Sequence, residues 1–79
     1  MKYVYILHSR VDGNRYYVGR TDDLKQRLKI HNLGKVFHTS KFIPWNLKSY
    51  VAFSDEQQAI AFERYLKSAS GRAFAKKRL

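Results

Sequence analysis

Tyr16-Tyr17-Val18-Gly19-Arg20-Thr21-Asp22-Asp23 (YYVGRTDD, residues 16–23) joins a β-rich run to a set of helix-capping residues, with a glycine at the junction. Upstream, residues 2–8 carry the same β-rich content in Tyr3, Val4, Tyr5 and Ile6, and the intervening RVDGN is a turn signal. The two runs predict a β-hairpin. Strand side chains alternate faces, so loop length decides which residues meet. A two-residue Asp12-Gly13 loop places Tyr17 with Ile6 and His8. An odd-length loop, such as Asp12-Gly13-Asn14, places Tyr3, Tyr5, Leu7, Tyr17 and Gly19 on one face, pairing phenol with phenol beside a glycine gap. Both registers are open at this level, and DGN supplies the αL-tolerant residues the odd loop needs.

Downstream, Thr21, Asp22 and Asp23 can cap a helix and put negative charge at its N-terminal dipole. That helix is predicted from about Asp22 to Asn32, with Gly34 placed to end it. Residues 33–46 have no sustained period and contain Pro44, which predicts an ordered, irregular loop with Trp45 as a core plug beneath it. Residues 47–54 predict a third strand. Ser54 with Gln57 fits a capping box before a second helix from Asp55 to about Ser68. SASG then breaks the chain ahead of a short basic helix, RAFAKKRL. The order β-β-α-β-α-α predicts an α+β fold, a small three-stranded sheet flanked by helices, as one domain over residues 1–79.

The chain has 79 residues, room for one small core and one site. It has no cysteine, so no disulfide framework or thiolate metal site holds it together. The apolar run Tyr3–Leu7 is shorter than the roughly 7–15 residues of a signal core. No stretch approaches the roughly 20 apolar residues of a membrane span. A cytoplasmic protein without membrane contact is expected. Sixteen Lys and Arg against six Asp and Glu give a formal charge of +10. A field of that sign on so small a surface makes a polyanion the expected partner.

On the first predicted helix, Leu24, Arg27, Leu28 and His31 follow one-face spacing, so two polar residues share the stripe that should be buried. An inward Arg needs a carboxylate or phosphate; otherwise Arg27 snorkels along the stripe with His31 at its rim. Five of the six acidic residues have turn or helix-start positions. Glu63 alone lies mid-helix, on the Ala59, Phe62, Leu66 stripe, either directed inward or paired with Lys67 one turn on. Two tyrosines, an Arg, a His and one carboxylate suit phosphodiester hydrolysis. A hard divalent ion such as Mg²⁺ accepts one or two carboxylates and keeps its waters. With Arg27 it could offset charge building on phosphate oxygens. A tyrosine could orient or deprotonate the attacking water if its pKa falls from about 10. Thiol, P-loop and zinc chemistries lack their residues, and neither His8 nor His38 has an evident partner.

These residues resemble the GIY-YIG nuclease superfamily, in particular its small stand-alone bacterial members. Tyr3-Val4-Tyr5 matches the first half of the signature and Tyr17-Val18-Gly19 the second; the similarity continues through GRTDDLKQRLKIHN, PWNL, FERYLKS and SGRAFAKK. The resemblance implies a three-stranded antiparallel sheet with packed helices, and Mg²⁺- or Mn²⁺-dependent cleavage of DNA in repair or processing. By resemblance, Tyr5 and Tyr17 are the signature tyrosines, Arg27 the phosphate clamp, His31 the histidine one turn later and Glu63 the sole protein metal ligand. Gly19 is structural. The signature's opening glycine is Tyr3 here, both isoleucines are valine, and the late-helix asparagine of many active members has no counterpart. With no room for a separate DNA-binding domain, either the substrate is defined by its structure or a partner protein supplies targeting.

A second reading keeps the fold and drops the chemistry: a catalytically weak or inactive nucleic-acid-binding module. It would use Arg20, Lys25, Lys29, Lys35, Lys41 and the tail Lys76, Lys77 and Arg78, with steep salt dependence and little sequence preference. A third makes the basic surface an adaptor for an acidic protein or lipid, against which the last helix lacks a long apolar face.

Overall fold

The structure, a computed structural model, describes all 79 residues. Its elements are β1 (Lys2–Ser9), β2 (Tyr16–Thr21), α1 (Leu24–Asn32), a 3-10 turn (Ser40–Phe42), β3 (Trp45–Phe53), α2 (Glu56–Leu66) and α3 (Ala69–Arg78). The sheet is antiparallel throughout, in the order β2-β1-β3. None of the helices is long and apolar enough to cross a membrane.

The hairpin takes the odd-loop register. Tyr5 lies opposite Gly19 and Leu7 opposite Tyr17. The loop is longer than three residues: the Ser9 amide still donates to the Arg15 carbonyl at 3.1 Å, leaving Arg10–Asn14 as the connection. Ser9 Oγ accepts from the amides of Val11 and Asp12 and donates to the Phe42 carbonyl, which ties the hairpin tip to the loop before β3.

Each face of the sheet has its own core. Val4 and Ile6 pack on Ala59 and Leu66 of α2, with Val18, Phe53, Phe62 and α3's Ala75 around them. On the other face Tyr5, Leu7 and Trp45 gather Tyr17, Leu24, Leu28, Phe42 and Ile43, so α1 and the 33–46 loop close that side. Trp45 is the expected plug, and its indole N–H donates to the Thr39 carbonyl at 2.9 Å. Asn32 at the end of α1 grips the Trp45 backbone through both its amide nitrogen and its oxygen. A bulge lets β3 serve both cores. Ile6 faces Ser49 but Leu7 faces Leu47, so Lys48 is the extra residue.

Several boundaries move for local reasons. α1 begins at Leu24 rather than Asp22, because Asp23 is the cap and accepts from the Gln26 amide. α2 begins at Glu56 and ends at Leu66: Asp55, not Ser54, takes the Gln57 amide, so the predicted Ser54 capping box does not form. β3 starts at Trp45, two residues early, held by Asn32. SASG does not separate a short final helix; Ser68 caps α3 by accepting from the Gly71 amide, and Gly71 lies inside that helix. Gly34 ends α1 as expected, with φ +75°.

Gly71 is inside α3 because α3 crosses the end of α2 at backbone contact. A Cβ there would collide with the carbonyl of Tyr65, which is main chain and cannot rotate away. Gly71→Ala is therefore expected to destabilise the fold by about 3 kcal/mol or more, the upper end of overpacking costs, read as a lower urea midpoint with the tyrosine cluster's chemistry untouched.

Candidate active site

The site forms around Tyr5. Its place on β1 buries it to 2% exposure, and a buried hydroxyl needs partners. It has two. His31 Nε2 lies 2.9 Å away, and Arg27 Nε donates to it at 3.3 Å. Both arrive from α1, one turn apart, so the polar pair on the helix's inner stripe is explained by a phenol waiting under it. Arg27 is half-buried, aimed at that phenol rather than snorkelling past it.

His31 is fully buried, and its Nδ1 lies 2.8 Å from Thr39 Oγ1, itself buried. Thr39 Oγ1 donates to the Val36 carbonyl at 3.4 Å. With that hydroxyl proton committed, the network assigns the tautomer: Nδ1–H donates to Thr39, and Nε2 accepts the Tyr5 proton. A one-way chain results, Arg27 to Tyr5 to His31 to Thr39 to the Val36 carbonyl.

Gly19 makes the chain possible. A Cβ at Gly19 would collide with the Tyr5 hydroxyl and lie 3.0 Å from Tyr17 Cε2. The second tyrosine sits beside the first: the Tyr17 ring is tilted 41° to Tyr5 at 6.4 Å and 59° to His31 at 5.0 Å. Tyr17 is half-buried, and its hydroxyl lacks a hydrogen-bond partner of good geometry, although it adds to the pull that keeps the Arg27 guanidinium protonated.

Charge in the cluster follows from burial. Burial pushes the Tyr5 phenol above its ordinary value of 10, against the hydrogen bond and charge of Arg27; Tyr17 and Glu63 add to the rise. Arg27 is held more firmly charged, first by its hydrogen bond to Tyr5. Burial, then the Arg27 charge, lowers His31 from 6.5 to about 4. At neutral pH the cluster is a protonated phenol hydrogen-bonded to a neutral imidazole.

Glu63 approaches from α2, on the opposite face of the sheet, around the β2 edge. Its side chain is 18% exposed, and each oxygen has a cation: Arg20 Nε at 3.2 Å and Lys67 Nζ at 3.1 Å. Inward placement and the Lys67 pair, alternatives at the level of sequence, are both present. Arg20 was expected among the nucleic-acid contacts; instead it lies on the face of β2 turned to α2 and is engaged with Glu63. Lys25, Lys35 and Lys41 are exposed and without ion-pair partners, on α1 and the following loop, the side on which the tyrosine cluster lies.

No group of three or more His, Asp or Glu side chains converges anywhere on the chain. The donor set therefore fits only a hard, water-rich ion that accepts a single carboxylate, and Arg20 or Lys67 must release an oxygen to admit it. Thr39, which fixes the His31 tautomer, was not found from sequence; a threonine in an irregular loop carries no signal of its own. His8 does have a partner: its ring stacks on Tyr16 at 4.6 Å, and Nε2 meets the Gly13 carbonyl at 2.9 Å.

The pH dependence of stability follows from His31. Its folded pKa lies below the unfolded value, so the unfolded chain binds the extra proton between the two. The stabilisation is complete above about pH 6.5 and is lost as pH falls toward about 4, on the order of 3 kcal/mol in all. Urea denaturation at pH 7, 5.5 and 4 should show that slope, reduced by about one proton in His31→Gln; an unchanged slope in the variant would contradict the buried neutral imidazole.

Comparison with known proteins agrees with the signature. A family model described as the GIY-YIG catalytic domain matches residues 1–78. A UPF0213 protein of Streptococcus pneumoniae serotype 4 is 39% identical over 66 residues, which is 82% of this chain and 65% of that protein's length. Another, from Lacticaseibacillus paracasei, is 38% identical over 66 residues, covering 82% of this chain and 72% of its own. The solution NMR structure of a UPF0213 protein from Bacillus halodurans superposes with a TM-score of 0.58 at 35% identity, covering 96% of this chain and 81% of that one. With its two tyrosine tripeptides on the two strands of one hairpin, meeting at Tyr5 and Gly19, and the family model spanning it nearly end to end, the chain belongs to the GIY-YIG family.

Proposed function

We propose that the chain is a divalent-metal-dependent endonuclease that hydrolyses DNA phosphodiester bonds. The observation that carries this reading is the one-way hydrogen-bond chain from Arg27 through Tyr5 to a neutral His31, with the Glu63 carboxylate near enough to act on the Tyr5 phenol. Arg27 has guanidinium N–H groups beyond the one given to Tyr5, and these would hold a non-bridging phosphate oxygen. Water attacks phosphorus as the bond from phosphorus to the leaving sugar oxygen breaks; one water proton passes to the Tyr5 oxygen while the Tyr5 proton moves 2.9 Å to His31 Nε2, and the departing alkoxide takes a proton from solvent. No free phenolate is needed, which matches a phenol whose pKa is raised. Tyr17, more accessible and with its hydroxyl uncommitted, would orient the water or the phosphate.

Glu63 would hold Mg²⁺ or Mn²⁺, which when bound supplies charge to offset that building on the leaving oxygen. Arg20 and Lys67 compete for the same carboxylate. Removing either is expected to tighten Mn²⁺ binding roughly two- to fivefold, the worth of a partly exposed ion pair, whereas Glu63→Gln abolishes it. Isothermal titration reads this without turnover, and equal affinity in Arg20→Ala, Lys67→Ala and wild type would remove Glu63 as the metal ligand.

Nicking of supercoiled plasmid with and without Mg²⁺ is the direct test. Tyr5→Phe and His31→Ala should each lose about 10²-fold or more, the usual range for general-base catalysis, and their double variant little beyond that, since they act as one unit. Tyr17→Phe should lose less. If wild type cuts plasmid, branched and single-stranded substrates no better than Glu63→Ala, catalysis is abandoned. The binding-module reading then stands, provided DNA affinity is indifferent to Arg27→Ala and to EDTA.

A further inference from the structure

On the face of the sheet away from the tyrosine cluster, a groove of about 630 Å³ runs between the hairpin and the α2–α3 corner. Its floor is apolar, made by Ile6, Val18 and Leu66. Lys48, Arg72 and Lys76 line it, as do Tyr17 and Lys67, the partner of Glu63. Four cations and no carboxylate line it. Lys48 is the bulge residue of β3, and a bulge re-aims a side chain out of the strand's alternation.

Tyr16 also lines this groove and is 52% exposed. One face of its ring is stacked on His8, interplanar angle 8°, and His8 is held in turn by the Gly13 carbonyl. A solvent-facing phenol ring is thus fixed in orientation with no core contact to explain it. A braced aromatic beside an apolar floor and three cations without ion-pair partners, Lys48, Arg72 and Lys76, is the combination that binds unpaired nucleic acid: bases stack on the ring and phosphates meet the cations.

We propose that this groove binds an unpaired DNA strand, with a base on Tyr16 and the backbone against Lys48, Arg72 and Lys76. The choice of DNA rests on the nuclease reading, with which the groove shares Tyr17 and the Glu63 partner Lys67. A duplex turns its base faces inward and offers mainly phosphate, which would leave the apolar floor and the tyrosine unused. An acidic peptide would use the cations alone.

The test is fluorescence anisotropy in EDTA, with a labelled oligothymidylate of about 12 nucleotides, within the span single-strand sites usually cover, beside a hairpin duplex of equal phosphate count. Arg72→Ala with Lys76→Ala should weaken strand binding tenfold or more and flatten its salt dependence by about 0.7 per lost contact. Tyr16→Ala should weaken it about fivefold or more at unchanged salt slope, with Tyr16→Phe retaining affinity. Duplex affinity should change less than about twofold in the tyrosine variant, because phosphate contacts dominate there.

The proposal is overturned if the duplex loses as much as the strand in Tyr16→Ala, if thymidine monophosphate or polyglutamate displaces the strand at matched charge, or if Lys25→Ala with Lys29→Ala on α1 does equal damage. Circular dichroism of each variant confirms that it is folded. Binding is read without metal, so the two readings fail separately. A protein that holds the strand but never nicks removes the nuclease alone, and an active nuclease whose strand affinity ignores all these variants removes the groove alone.

Discussion

Everything at the tyrosine cluster depends on the satisfaction of one buried hydroxyl. Tyr5 brings a polar atom into a place where it cannot reach bulk water, and leaving it unpaired would cost on the order of 1–3 kcal/mol. The fold answers with α1, whose inner stripe places His31 and Arg27 at that oxygen, and with Gly19 across the strand pair, which leaves the space the hydroxyl fills. The imidazole that satisfies it is kept neutral by the burial that made satisfaction necessary.

The two halves of the site are attached differently. Tyr5, Arg27, His31 and Thr39 are locked together by hydrogen bonds within the first 39 residues. Glu63 comes from the far side of the sheet on a helix that otherwise meets the sheet through apolar side chains. The Arg20–Glu63 pair is the one side-chain hydrogen bond joining residues 1–45 to the helices α2 and α3. Apolar contact is weakly directional, so the carboxylate's position at the β2 edge rests on a partly exposed ion pair. Every member of the tyrosine cluster is tied by hydrogen bonds, whereas the carboxylate is held by ion pairs.

Much of this was legible in the residues. The phenol-to-phenol face followed from strand alternation and an odd loop, the inward Arg27 and His31 from helical spacing, and Glu63 from its being the acidic residue without a turn or cap to serve. What sequence could not supply were the choices made by contact. Asp55 outcompeted Ser54 as a cap, Gly71 was read as a stop when it marks a close crossing of two helices, and Arg20 was read as a free cation because its partner is 43 residues away. Thr39 and the Tyr16–His8 stack lie in the same class. The Arg20–Glu63 contact depends on chain folding back over a distance no local pattern encodes, whereas the Asp55 cap is a choice between adjacent residues.

The single extra residue in β3 has a consequence for how this chain can vary. With strict alternation, Leu47 and Trp45 would follow Phe53, Val51 and Ser49 onto the α2 face; the bulge sends them to the other side, where Trp45 closes the core under Tyr5 and Leu7. Strand length is usually the forgiving parameter in evolution, trimmed or extended at its ends without harm. Here an insertion or deletion between Trp45 and Ser49 would exchange inside for outside over half the strand. The count of residues in that segment is thus as constrained an inheritance as the identity of either signature tyrosine, and alignments of relatives should tolerate substitution at position 48 far more readily than a gap.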